Sequence, residues 1–260
     1  MIRATGYIVP KPDERDYQIQ RLFSAKKITA TPKGSADLSW QVIDVLDQGS
    51  LGSCTLNGIT QMVRMRAMAD SLDRSTPLGS RLFAYFNTRA LDGEDNINED
   101  TGADPRTAMK AINEYGLPPE MDWPYDIAKF KKLPANRAFR SAYDASGKLT
   151  KWEFYWITGS LDEKVEAAQL ALDAGYAIGI GTAIGEEYGD WHKGDAPLGP
   201  PKEIAGYHFE VLDGYKGEIF RSLGSWSSGF GDNGRVEMTS DYVGSYLTSS
   251  MLVIEKGAQL

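Results

Sequence analysis

The spacing of apolar residues changes character part-way along the chain, and that change limits the fold more than any other feature. From Cys54 onward, Leu56, Ile59, Met62, Val63, Met65 and Met68 recur at helical spacing to about Leu72, which predicts one long buried helix with its methionines as packing. Further helices are expected over SRLFAYFNTRAL, over DPRTAMKAINEY with proline in its first turn and Gly116 closing it, and over LDEKVEAAQLALDA, ending at Gly175. Beyond Gly175 the runs YAIGIGTAI, GYHFEVLDGY, EIFRSLGSW, NGRVEM and SMLVIEK read as strands separated by turns. Helices first and strands later imply an α+β protein whose halves meet along a cleft.

Residues 1–36 are polar, rich in turn formers and short of periodicity, so they read as an N-terminal arm laid over the surface. The rest divides into a mainly helical lobe, 37–158, and a β-rich lobe, 159–260. With 260 residues, 42% of them hydrophobic, the chain can bury a core without covalent staples. A formal charge of -8 argues against nucleic acid and anionic membranes, both of which reward a basic face. No apolar run reaches membrane-spanning length, and MIRATGYIVPKPDERDY has neither the basic nor the apolar region of a signal peptide.

Cysteine and histidine usage narrows the chemistry. One cysteine excludes an intramolecular disulfide and suits a reducing, cytoplasmic location. Two histidines with one cysteine are too few for a structural zinc site, and the acidic stretch LDGEDNINEDTGAD lacks the ligand spacing of an EF-hand loop. No metal and no cofactor is expected.

The lone thiol sits in DQGSLGSCT, after Gly49 and Gly52 and at the mouth of the long helix. Unpaired amides and the positive end of a helix dipole stabilise a thiolate there, although a lone cysteine also packs well as a small hydrophobe. Gln48, six residues upstream, can turn an amide N–H into the same corner and complete an oxyanion hole. His208, at the start of a strand-like run in the other half, can serve as the base; as a lone histidine it also fits a buried core position. His192, among turn residues, reads as a loop histidine.

Three segments in the same order resemble the boxes of the papain-like (C1) cysteine peptidases. QGSLGSC (48–54) is similar to the box that ends on the nucleophile, GYHFEVLDGY to the strand that begins with the histidine, and GSWSSGFGDNG (224–234) to the N-S-W-G-x-x-W-G-x-x-G box. The resemblance runs from about Asp37 to Lys256 and is nearest to the prosegment-poor bacterial and viral members. It implies a two-lobed fold with a helical left domain and an antiparallel, barrel-like right domain, with the cleft between them. It also implies Cys54 as nucleophile, His208 as base and Gln48 as oxyanion donor. Trp226 would shield the histidine's hydrogen bond, and Gly102 and Ser53 would lie along the substrate cleft.

Four positions depart from the pattern. Leu51 replaces a cysteine that pairs in secreted members, in keeping with the single-cysteine count. Phe230 keeps the aromatic mass of a usual tryptophan, and Ser227 stands at a usual glycine. Gly224 occupies the place of the asparagine that orients the catalytic histidine. A water, a backbone carbonyl, or the hydroxyl of Ser222, Ser225 or Ser227 could substitute in part. Since a Cys–His ion pair needs less help than a serine enzyme's histidine, slowed turnover is expected rather than none.

The expected function is a thiol endopeptidase acting on polypeptides. The alternative is a weakened or inactive papain-like module with a structural or binding role, for example in a phage particle, where location would be virion-associated. Under either reading the arm could pack across its own domain or into a larger assembly.

Overall fold

The computed structural model of the protein describes residues 5–28, 31–143 and 147–257. Parts of the expected arm, residues 1–4 and 29–30, lie outside that range. In the helical half, α1 (Ile19–Lys26) and the short strand β1 (Ser35–Asp37) lead to α2 (Cys54–Ser71), α3 (Arg81–Asp92), α4 (Pro105–Tyr115) and the short α5 (Asn136–Ser141). The β-rich half contains β2 (Trp152–Trp156), α6 (Leu161–Asp173), β3 (Ile178–Ile184), α7 (Glu186–Gly189), β4 (Gly206–Lys216), β5 (Ile219–Leu223), β6 (Arg235–Thr239), α8 (Ser240–Gly244) and β7 (Thr248–Lys256).

Helix boundaries follow local chemistry. Ser80 caps α3 by accepting from the Phe83 amide, and Asp104 caps α4 by accepting from the amides of Arg106 and Thr107, with Pro105 in the first turn. Ser160 and Glu163 form a reciprocal capping box on α6. The central helix differs, because its N-cap residue Ser53 makes no side-chain cap. The amides of its first turn therefore stay available to the cleft.

The strands form one antiparallel sheet in the order β2-β7-β3-β4-β5-β6, with β1 added to β4. This sheet is open, so the barrel-like right lobe is a curved sheet that does not close on itself. Helix α2 packs directly on it: a Cβ at Gly58 would come within 2.6 Å of the Phe209 ring, and one at Gly179 within 2.5 Å of the same ring. Met62, Met65 and Met68 are all buried, Met62 meeting Gly179 and Phe209 in that core. Among the described residues no helix is long and apolar enough to cross a membrane.

Several elements escaped the sequence reading, α1 and β2 among them. Helix α1 lies inside the expected arm, and its Ile19 and Leu22 are buried, so this segment joins the core instead of lying over the surface. Strand β2 (WEFYW) pairs with β7 from Trp152 opposite Lys256 to Trp156 opposite Leu252.

Candidate active site

Cys54 is the first residue of α2 and has no solvent exposure. The turn before it is held from behind. Tyr125 donates to the Gln48 carbonyl at 3.0 Å, and its hydroxyl lies 2.5 Å from that of Ser53. Asn57 donates to Ser53 and accepts from Arg81, which is paired with Glu120 and lies over the Tyr125 ring. Ser53 is thus fully buried in this network, and its side chain holds the turn instead of lining the cleft as the resemblance implied.

The Gln48 carboxamide is fixed at both ends. Its Oε1 accepts from Ser225 at 2.6 Å and its Nε2 donates to the Leu51 carbonyl at 2.9 Å. That second bond keeps the NH₂ group on the side of the turn leading to Cys54. Asp100 ties the same turn to the neighbouring wall by accepting from the Gly52 amide at 2.9 Å and from Tyr85, whose hydroxyl accepts from the Gly102 amide.

The N-terminal arm occupies the cleft. The Ala103 amide donates to the Gly6 carbonyl at 2.8 Å, and the Ile8 amide donates to the Ala103 carbonyl at 3.1 Å, so residues 6–8 lie extended along the wall. Only glycine fits at either side of this contact. A Cβ on Gly6 would stand 1.9 Å from the Gly52 oxygen, and one on Gly102, at φ +78, 2.2 Å from the Gly6 oxygen. Tyr7 is buried against Phe209 and Gly181, with its hydroxyl donating to Ser250 at 2.9 Å.

Burial sets the protonation of Cys54 and His208. Burial pushes the Cys54 thiol up to about 11, although the amides of Phe209, Gly6 and Thr55 approach it and pull the other way. Burial also pushes the His208 imidazole down to about 3. Both groups are therefore held in their neutral forms, and among the described residues neither ring nitrogen of His208 has a hydrogen-bond partner. Fold geometry brings the strand of His208 to Cys54 through the Phe209 amide, while the thiol–imidazole hydrogen bond stays unformed in this covered state.

His208 itself lies among aromatic rings. Trp226 is 4.8 Å away between centroids and tilted by 39°, and Tyr188 is 5.9 Å away, edge to face. Phe230 packs on both Trp226 and Tyr188. Ser227 adopts φ 70, so it keeps the left-handed conformation that explains the usual glycine there. His192 is exposed, forms an isolated bridge to Gly231, and its amide donates to Asp195. Two of the three serines offered as substitutes for the missing asparagine are engaged elsewhere: Ser222 donates to Glu210 and Ser225 to Gln48.

Comparison with known proteins fits this geometry. No protein-family model matches the chain. An uncharacterized peptidase C1-like protein of Acanthamoeba polyphaga mimivirus is 35% identical over 262 residues, covering 93% of this chain and 83% of that protein. The chain belongs to the papain-like C1 peptidase family. Its fold is that of xylellain, a cysteine protease from Xylella fastidiosa, with a TM-score of 0.79 at 24% identity over 98% of this chain and 97% of that one. Digestive procathepsin L 3 of the Tenebrio molitor larval midgut shares the fold with a TM-score of 0.68 at 16% identity, over 96% of this chain and 75% of that one.

Proposed function

We propose that this C1 peptidase-family chain is a cysteine peptidase, drawn here with its own arm in the substrate cleft. One observation carries the reading: an extended backbone, Gly6 to Ile8, is hydrogen-bonded along Ala103 and touches the thiol at the head of α2. A cleft that seats its own chain in this way suits a polypeptide substrate.

Once the arm leaves, water reaches Cys54 and His208, and both groups move back toward their ordinary proton affinities. The Sγ proton passes to the imidazole and the thiolate attacks the scissile carbonyl carbon. The oxyanion forms beside the Gln48 carboxamide and the Cys54 amide, both preorganised by the buried network. The imidazolium returns its proton to the leaving amine, and water then hydrolyses the thioester with His208 as base.

The test is cleavage of an unfolded protein substrate, followed by mass spectrometry of the fragments. Wild type should cut, Cys54→Ala should not, and His208→Ala should cut at least about 100-fold more slowly. Fragments produced equally by Cys54→Ala would contradict the mechanism. The alternative, a binding module without turnover, is favoured by one residue, Gly224, and predicts that the substrate is retained uncut.

A further inference from the structure

Position 224 carries no side chain, and the residues bordering that space define what replaces it. A Cβ built there would lie 3.5 Å from the Tyr188 hydroxyl and 3.9 Å from Glu210 Oε2, both ordinary contact distances. No positive φ requires glycine at this point. The space normally used by an orienting side chain is therefore lined by a phenol and a carboxyl.

Glu210 and His208 are two residues apart on β4, so they project on the same face of the sheet. On the neighbouring strand β5, Ser222, which pairs with Leu212, donates to Glu210 Oε2 at 2.7 Å. Among the described residues, eight buried side-chain polar atoms lack a hydrogen bond, and four of them meet here: His208 Nδ1 and Nε2, Tyr188 Oη and Glu210 Oε1. Buried polar atoms are nearly always satisfied, so an orphan cluster on one spot marks groups that pair in another state. Glu210 is also a buried carboxyl with no cation in contact among the described residues, an arrangement that stability alone disfavours.

We propose that Glu210, acting with the Tyr188 hydroxyl, replaces the missing side chain of position 224 and orients His208, so that it is the positioning residue of this peptidase. The inference rests on the peptidase reading above. When His208 takes the thiol proton, its ring N–H turned away from Cys54 gains an acceptor in this pair, and the carboxyl gains the cation it lacks. The tyrosine and carboxyl already perturb each other's proton affinity without closing a hydrogen bond. Other titratable groups facing this cluster are Tyr242 on α8 and Cys54 on α2, neither of them cationic.

The test measures alkylation of Cys54 by iodoacetamide against pH in the full chain, with ring ¹⁵N spectra of the two histidines. Glu210→Ala should slow alkylation at neutral pH by about 10-fold or more, and adding Gly224→Asn to it should restore most of that rate. Glu210→Gln, which still accepts a hydrogen bond but carries no charge, should keep the rate within about threefold while moving the alkaline limb and the His208 titration to lower pH. A merely structural Glu210 would leave that limb in place and would gain nothing from asparagine at 224.

If His208→Ala slows alkylation while Glu210→Ala and Glu210→Gln behave as wild type in rate and pH profile, the assignment of Glu210 is overturned alone. If His208→Ala also alkylates as wild type, the Cys–His reading fails and this assignment falls with it.

Discussion

At the scale of single residues, the site combines groups whose burial works against their charged forms. Glu210 is pushed up to about 7 by burial, opposed by the hydrogen bond from Ser222 and by the nearby Tyr188 hydroxyl. A carboxyl whose folded pKa is raised contributes fully below its unfolded value, near 4.5, and loses that contribution as pH rises through about 7. Glu210→Gln should therefore match wild type in urea stability below about pH 4.5 and exceed it by about 3 kcal/mol at pH 8. Equal midpoints at both pH values would show that Glu210 finds a cation in the resting protein. His208 has the opposite sign, with stability held above about 6.5 and lost as pH falls toward about 3. Much of the site was legible at this scale, because a thiol at a helix mouth, an upstream glutamine and a histidine opening a strand form a pattern with a chemical reason. Glu210 carried its own signal, an acidic residue inside the apolar run HFEVL, but only the third dimension shows that it faces the space beside Gly224.

At the scale of elements, the arm is the part that sequence reasoning placed least well. Its eight-residue helix α1 offers only two turns and two fully buried apolar positions, too little periodicity to stand out among polar neighbours. Strand β2 was hidden because WEFYW, four aromatics and Glu153, shows no alternation of apolar and polar residues. The longer helices were readable through apolar spacing along α2, the first-turn Pro105 of α4, and the closing Gly116 and Gly175. What holds the arm in the cleft is chiefly Tyr7, buried on Phe209 and hydrogen-bonded to Ser250, together with the ion pair of Asp16 and Arg106 on α4. Removing a buried aromatic anchor costs on the order of 2 kcal/mol, enough to raise an uncovered population by about 30-fold. Tyr7→Ala should accordingly raise the rate of Cys54 alkylation by about 10-fold or more, read by mass spectrometry. An unchanged rate would mean that the arm does not control access.

At the scale of the whole molecule, one core spans the junction of α2 with the sheet, and the reactive thiol sits where that junction opens. The order of helices and strands foretold an α+β architecture, and the resemblance of three boxes foretold the papain-like one, because those boxes line the junction from both sides. The openness of the sheet and the path of the arm depend on contacts between segments far apart in sequence, which no local pattern encodes. In the proposed reading the site is covered, with Cys54 and His208 neutral and not yet hydrogen-bonded to each other, until the arm withdraws. The most direct measurement is the rate at which an epoxysuccinyl peptide labels Cys54 in the full chain, compared between wild type and His208→Ala. Labelling of wild type well above a free thiol, abolished by His208→Ala, is the expected result. Identical labelling of the two folded proteins would contradict a Cys–His catalytic pair.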